Sequence, residues 1–219
     1  MSKKKIYLSP SNQDGNMYAY GNTNEMEQCN RIAGYAKIAL QRCGFDVRKA
    51  PMGQDMWKSI NESNEWGADL HIPIHTNAFD GNVSGTVVFV YSKTSNAMKL
   101  AEPIYKYVQS AAIGTTDYGV RANPELAELN ATTAVAVYVE CDFHDNKEVA
   151  KWIVENPQLI GEAIAMGVCE GYGVEYTPDK TDTVYRVQVG AFISKKNAEN
   201  LLAKLKEQGY TDAYITTTA

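Results

Sequence analysis

Ala68-Asp69-Leu70-His71-Ile72-Pro73-Ile74-His75-Thr76-Asn77-Ala78 is the stretch whose reading decides the fold. Side chains alternate across a strand, so Leu70, Ile72 and Ile74 point to one side and His71, Pro73 and His75 to the other. The run ends by delivering His75 into a polar Thr-Asn-Ala loop. In a sheet whose strands alternate with helices, the carboxyl ends of the strands line the ligand crevice, which makes His75 a candidate functional residue. Two readings stand for such a histidine, a hydrogen-bonded surface residue or a metal ligand.

A second apolar, β-branched run, Val135-Ala136-Val137-Tyr138-Val139, has the same layout and ends in Glu140. A carboxylate at the end of a buried strand is costly unless it is paired, metal-bound or in a wet cleft. Glu25 belongs to a third segment, Asn22-Thr23-Asn24-Glu25, at the head of a helix. There Asn24 and Glu27 have the spacing of a capping box, and Glu25 suits the helix dipole without any further role. Taken together, Glu25, His75 and Glu140 suggest a metal-assisted hydrolase.

Outward from these segments, strand and helix signals alternate. A strand is expected at about residues 4 to 9, then a Gly/Asn/Tyr-rich loop from Gln13 to Thr23 long enough to carry function. The helix from Glu25 to Cys43 puts Cys29, Ile32, Ala33, Ala36 and Leu40 on one face and is ended by Gly44. A short strand follows at Phe45 to Lys49, then a helix from Met56 to Glu65 with Met56, Trp57 and Ile60 facing inward. Further helices are expected from Ala97 to Ala112, with a kink at Pro103, and from Gln158 to Gly171. The alternation predicts an α/β fold with a mostly parallel, helix-covered sheet over residues 1–175. Turn formers collect over residues 176–183, read as a linker. Beyond it, Val184 to Phe192 reads as a strand, Lys195 to Gln208 as an amphipathic helix and Ala213 to Thr217 as a second strand, a small βαβ unit within residues 184–219.

The 219 residues are 44% hydrophobic, enough for the core of a mid-sized α/β domain. A net charge of −5 argues against a nucleic-acid surface. No stretch approaches the roughly 20 apolar residues of a transmembrane helix, and Met1-Ser2-Lys3-Lys4-Lys5 leads into a strand rather than a secretory segment. The expectation is a protein made in the cytoplasm without a signal peptide. Cys29, Cys43, Cys141 and Cys169 lack Cys-x-x-Cys spacing, which disfavours a Cys-bound zinc or a redox pair. Alternation also turns Cys141 away from the side occupied by Glu140, against a nucleophilic role.

The chain resembles the zinc-dependent N-acetylmuramoyl-L-alanine amidases of the type-3 peptidoglycan amidase group. The resemblance runs through Lys5-Ile6-Tyr7-Leu8-Ser9-Pro10, Ala68 to Ala78, Gly85-Thr86-Val87-Val88-Phe89, Tyr118-Gly119-Val120-Arg121 and Tyr138-Val139-Glu140-Cys141-Asp142-Phe143-His144-Asp145-Asn146, and ends near Gly173. It implies Glu25 and His75 as zinc ligands and Glu140 as the catalytic acid/base. Where the family has a Pro-Gly-His turn, this chain reads Ser9-Pro10-Ser11-Asn12-Gln13, with Asn12 in the ligand position. An amide is a weak zinc ligand. Three alternatives follow: help from Asn12, Gln13 or another group; His144 swinging in; or a site that has lost its metal. His71 lies about 13 Å along the strand from His75, too far to share its metal, and is expected as a hydrogen-bonded partner in the cleft wall. Asn77 and Asn146 are candidate substrate donors, surface turns being the commoner use of Asn.

Residues 184 to 216, through Val187-Gln188-Val189-Gly190-Ala191-Phe192, resemble the first half of a SPOR repeat, the module that binds glycan strands stripped of peptide. A unit of about 35 residues has too little core to stand alone, so a homodimer through this tail is expected. The resemblance as a whole implies cleavage of the amide between N-acetylmuramic acid and L-alanine by a zinc-activated water. Lacking an export signal, such an enzyme would reach the peptidoglycan as a released or phage lysin does. The alternative is a non-catalytic wall-binding protein without metal.

Overall fold

A computed structural model describes residues 3–179, 188–210 and 213–217. The chain divides into two compact units, Met1–Asp179 and Lys180–Ala219.

In the first unit the strands are β1 (Lys5–Pro10), β2 (Asp46–Lys49), β3 (Leu70–Asn77), β4 (Val87–Val90), β5 (Val120–Ala122) and β6 (Val135–Phe143). They form one sheet in the order β2-β1-β3-β6-β4-β5, parallel at every junction except β4 with β6. The helices are α1 (Glu25–Arg42), α2 (Met56–Trp66), α3 (Ser95–Ala111), α4 (Ala127–Asn130), α5 (Lys147–Glu155) and α6 (Pro157–Tyr172). The expected α/β sheet is therefore present. Its central strand β6 runs four residues beyond the apolar run, to Phe143, which places Glu140 within the strand.

Period-two alternation divides the sheet into unlike faces. Ile6, Leu8, Leu70, Ile72, Ile74, Val137, Val139 and Cys141 are buried on one face against Ile32, Ala33 and Ala36 of α1, Ile104 of α3 and Ile164 of α6. Burying such aliphatic side chains contributes about 1.5–3 kcal/mol each. Close helix approach needs glycine: a Cβ on Gly167 would lie 2.4 Å from Cα of Ile104, and one on Gly161 would lie 2.7 Å from the carbonyl oxygen of Ile32. The opposite face carries Tyr7, Ser9, His71, His75, Tyr138 and Glu140 beneath α2 and α4.

Local chemistry sets the helix ends. Asn24 caps α1 by accepting from the Glu27 amide, but Glu27 bonds Thr23 Oγ1 instead of reaching back to close the box. Asp55 caps α2 by accepting from the Trp57 and Lys58 amides, and Gly67 ends it in the left-handed conformation that glycine adopts without strain. Trp57 is 53% exposed, against the inward orientation expected of it. The buried stripe of α2 is Ser59, Ile60 and Ser63, so the tight approach to the sheet is filled by small side chains. Helix α3 runs through Pro103.

Tyr176 and Thr177, read as linker, belong to the first unit. Tyr176 OH bonds Glu162, and Arg42 Nε donates to the Thr177 carbonyl at 2.7 Å. In the second unit α7 (Lys195–Glu207) matches the expected helix. Residues 184–187 of the expected first strand lie outside the described residues. The described residues 188–192 and 213–217 carry no strand assignment of their own. A strand needs a ladder partner, and the described residues of this unit supply none.

Candidate active site

Three elements bring the predicted residues together. His75 lies near the carboxyl end of β3, in register with Glu140 of β6, so both side chains leave the polar face side by side. Glu25, the first residue of α1, is carried in by the loop after β1, whose ends are tied by the Met17–Asn24 bridge and by the Glu25 amide donating to the Asn16 carbonyl. His75 Nδ1 is 2.8 Å from Glu25 Oε1. Asn16 Nδ2 holds the other carboxylate oxygen at 2.6 Å. The Tyr138 ring stacks on the imidazole with centroids 4.5 Å apart.

Asn12, the residue in the family's ligand position, and Gln13 are both exposed, and the side chain that reaches His75 is that of Gln13. Its amide lies 3.5 Å from His75 Nδ1 and is oriented by Asn16. Strand β1 ends at Pro10, so a one-residue difference in the turn exchanges which side chain points inward.

His144 does not swing in. Its ring stacks on Tyr18 at 5.0 Å, and its Nδ1 is bonded to Thr76 Oγ1 at 3.0 Å and the Thr76 carbonyl at 3.1 Å. His71 is fully buried, stacked on Tyr7 and 3.2 Å from Glu128, so it meets a carboxylate and is closed off from substrate. Asn146 uses its carbonyl to cap α5 and its amide on the Val83 carbonyl, so it too is committed to structure. Asn77 is half-buried, with its side-chain oxygen accepting from the Ala78 amide at 2.8 Å. Beside it, Asp145 Oδ2 accepts from the Phe79 and Gly81 amides, presenting an exposed Phe79 at the rim.

Sequence reading missed Glu128. It comes from the four-residue α4 in a polar segment without periodicity, yet it is 4% exposed. Its Oε1 accepts from Ser9 Oγ and contacts His71, and its Oε2 is 3.8 Å from His75 Nε2. The Leu126/Leu129 pair that packs α4 onto Tyr138 was the available signal for an inward-facing helix.

The electrostatics follow from two buried carboxylates, Glu25 and Glu128, and the half-buried Glu140 around one imidazole. Burial disfavours the charged form of His75, but contacts with Glu128 and Glu25 and the field of Glu140 raise it to about 9. Glu128 resists burial through its bonds to His71, His75 and Ser9 and is held down at about 2. Glu25 is likewise held below the usual carboxylate range, burial being outweighed by His75 and Asn16. Glu140 goes the other way. Burial, relieved in part by His75 and reinforced by Glu25, raises it to about 7, and its Oε2 is buried without a hydrogen-bond partner.

Among the described residues no cluster of three or more His, Cys, Asp or Glu side chains is placed to hold a metal ion. The converging donors are an imidazole nitrogen, a carboxylate and a carboxamide, with excess buried negative charge and an orphaned carboxylate oxygen beside them. Buried charges of this kind are paired or coordinate a metal. His75 and Glu25 therefore fit two positions of a divalent cation, with the Gln13 carboxamide beside them, its nitrogen toward His75 and its oxygen accepting from Asn16.

A family profile described as N-acetylmuramoyl-L-alanine amidase matches residues 10–170, and one described as SPOR domain matches residues 168–218. An uncharacterized 38.4 kDa protein of Clostridium perfringens is 34% identical over 132 residues, covering 57% of this chain and 37% of that protein. The N-acetylmuramoyl-L-alanine amidase CwlM of Bacillus licheniformis is 27% identical over 156 residues, 71% of this chain and 59% of the relative. The chain thus spans only about a third to three fifths of these relatives. The catalytic domain of CwlV from Bacillus (Paenibacillus) polymyxa superposes with a TM-score of 0.70 at 18% identity, over 78% of this chain and 99% of that domain. The catalytic domain of the CD27L endolysin targeting Clostridia difficile gives 0.63 at 25% identity, over 75% and 96%.

Proposed function

We infer the reaction from kinship and site together: the chain belongs to the N-acetylmuramoyl-L-alanine amidase family, and we propose that it cleaves the amide joining N-acetylmuramic acid to L-alanine in peptidoglycan. The observation that carries this reading is the Glu140 carboxylate, with Oε2 buried and unpartnered and its pKa raised to about 7, beside the His75–Glu25 pair. A zinc ion held by His75 and Glu25, with the Gln13 amide as third protein ligand, would supply carbonyl polarisation and a water of lowered pKa.

Glu140 is suited to move the proton. An acid/base group works best with its pKa near the operating pH, which burial achieves here for a carboxylate. Its free Oε2 accepts the proton of the attacking water and returns it to the departing L-alanine amine. Glu25 and Gln13 are fixed by Asn16, so their orientation is set before substrate arrives. Asn77 and the exposed Phe79 stand at the rim, where the glycan or peptide would be met.

The second unit, with its SPOR match, is proposed to hold the enzyme to the wall or to pair with a second copy through residues 184–216. Action on the wall after release, as by a lysin, belongs to the same proposal. No described helix is long and apolar enough to cross a membrane.

Elemental analysis of wild type and His75→Ala, with release of amino termini from purified cell walls, tests the function. About one zinc in wild type, its loss in the variant and amide cleavage by wild type alone are expected. Equal zinc in both, or cleavage that survives His75→Ala, overturns the assignment.

A further inference from the structure

We propose that Glu128 is a positioning residue for the amidase reaction, fixing the His75 ring with Nε2–H toward α4 and leaving Nδ1 to face the cation site. The inference rests on the function proposed above and adds a residue that lies outside the Glu25, His75 and Glu140 set.

The two nitrogens of His75 have separate surroundings. Nδ1 faces Glu25 at 2.8 Å and the Gln13 amide at 3.5 Å, the open end of the site. Nε2 faces Glu128 Oε2 at 3.8 Å, on the closed side beneath α4. An ionised carboxylate can only accept, so in the metal-free chain Nδ1 carries a proton toward Glu25 as Nε2 carries one toward Glu128; a cation bound at Nδ1 displaces the first proton and leaves the second. Metal-bound histidines commonly give their second N–H to a carboxylate in this way, which sets both tautomer and ring orientation.

Glu128 is itself fixed. Ser9 Oγ of β1 donates to its Oε1, His71 Nε2 of β3 lies 3.2 Å from the same oxygen, and Tyr7 stacks on His71 with centroids 5.4 Å apart. Oε2 is thereby left to His75, and Tyr138 closes over the imidazole face. Four elements, β1, β3, β6 and α4, thus hold one ring. This also gives buried His71 its place, as a support for Glu128.

The test compares wild type, Glu128→Ala and Glu128→Gln, the last keeping size and an acceptor oxygen without charge. Zinc affinity is measured by competition with a chelating dye, the His75 Nε2–H proton by NMR of metal-free and zinc-loaded protein, and kcat and KM on solubilised peptidoglycan. Wild type is expected to show a slowly exchanging Nε2–H in both forms. Glu128→Ala should lose that signal and bind zinc about 10–100-fold more weakly. Its kcat should fall while KM changes little, and Glu128→Gln should recover part of each loss. A folded Glu128→Ala protein with zinc affinity within about twofold of wild type, or a zinc-loaded wild type whose Nε2 lacks the proton, overturns the proposal. The wild-type spectrum decides the point even where the alanine variant fails to fold. If wild type binds no zinc, the amidase reading falls, whereas the Nε2–H signal of the metal-free protein still reports the Glu128 contact.

Discussion

Residues one apart on β1, β3 and β6 go to opposite solvents, and the two faces they build obey different rules. Ile6, Leu8, Ile72, Ile74, Val137 and Val139 meet three helices in a continuous apolar layer. Ser9, His71 and His75, with the half-buried Glu140, meet two helices in a layer that is mostly polar. Burial on the first face stabilises the chain. On the second it is tolerated because most polar groups find partners; His71 Nδ1 and Glu140 Oε2 are buried there without one, and of the two only Glu140 can bear the negative charge. The lesson is that a strand buried on both faces need not be apolar on both, and that the residue breaking the rule marks the chemistry.

Substitutions should separate the faces. The largest effect on activity is expected from Glu140→Gln, at least ~10²-fold in amide cleavage, the low end of what a positioned acid/base contributes. Its melting temperature should be no lower than that of wild type; near-normal turnover would return Glu140 to a structural role. Ile72→Ala on the other face should do the reverse. It should cost about 2–5 kcal/mol of unfolding free energy by denaturant titration while zinc affinity per folded molecule stays within twofold. A matching loss of affinity would mean the faces are not independent.

A pH series sharpens the contrast. Glu140 sits near 7 in the folded chain against 4.5 for the unconstrained group, so folding favours its protonated form. The penalty is absent below about pH 4.5, grows as pH rises and is complete above about pH 7. Chelator-treated Glu140→Gln should therefore match wild type in stability near pH 4.5 and exceed it by about 3 kcal/mol at pH 8. A difference that does not change with pH would show that Glu140 is not held protonated. The smallest effect expected is on assembly. Light scattering at micromolar concentration should give a dimer for the full chain and a monomer for a chain stopped at Asp179; a monomeric full chain, or a dimer that survives truncation, rules out pairing through the tail.

The legibility of the sequence divides along the same line. The apolar face could be read because alternation over Leu70–Ile74 and Val135–Val139 reports it directly, and the family resemblance then located Glu25, His75 and Glu140. Glu128 escaped because its helix is a single turn in a polar stretch, too short for periodicity. His144 and Asn146 looked like site residues by proximity to Glu140, but β6 continues to Phe143 and their side chains are consumed by Thr76, Tyr18 and the cap of α5. Asn12 and Gln13 were separated only by where β1 stops. Trp57 was misplaced because the inner side of α2 admits serines where a large ring was expected.

The gathering of Glu25, Glu128 and Glu140 around one imidazole has a thermodynamic consequence. Glu25 and Glu128 are offset by their partners, but the charged form of Glu140 opposes folding, and a cation that neutralises it acts as a folding ligand by mass action. At a free cation concentration one hundredfold above its dissociation constant, the linkage amounts to about 2.7 kcal/mol, a sizeable share of what a single domain usually has. Midpoints of thermal unfolding should therefore climb with free zinc, and a flat response would place the neutralising charge elsewhere. On this view the chain's robustness is set partly by its surroundings: the same molecule is more fragile where divalent cations are scarce and sturdier where they are plentiful.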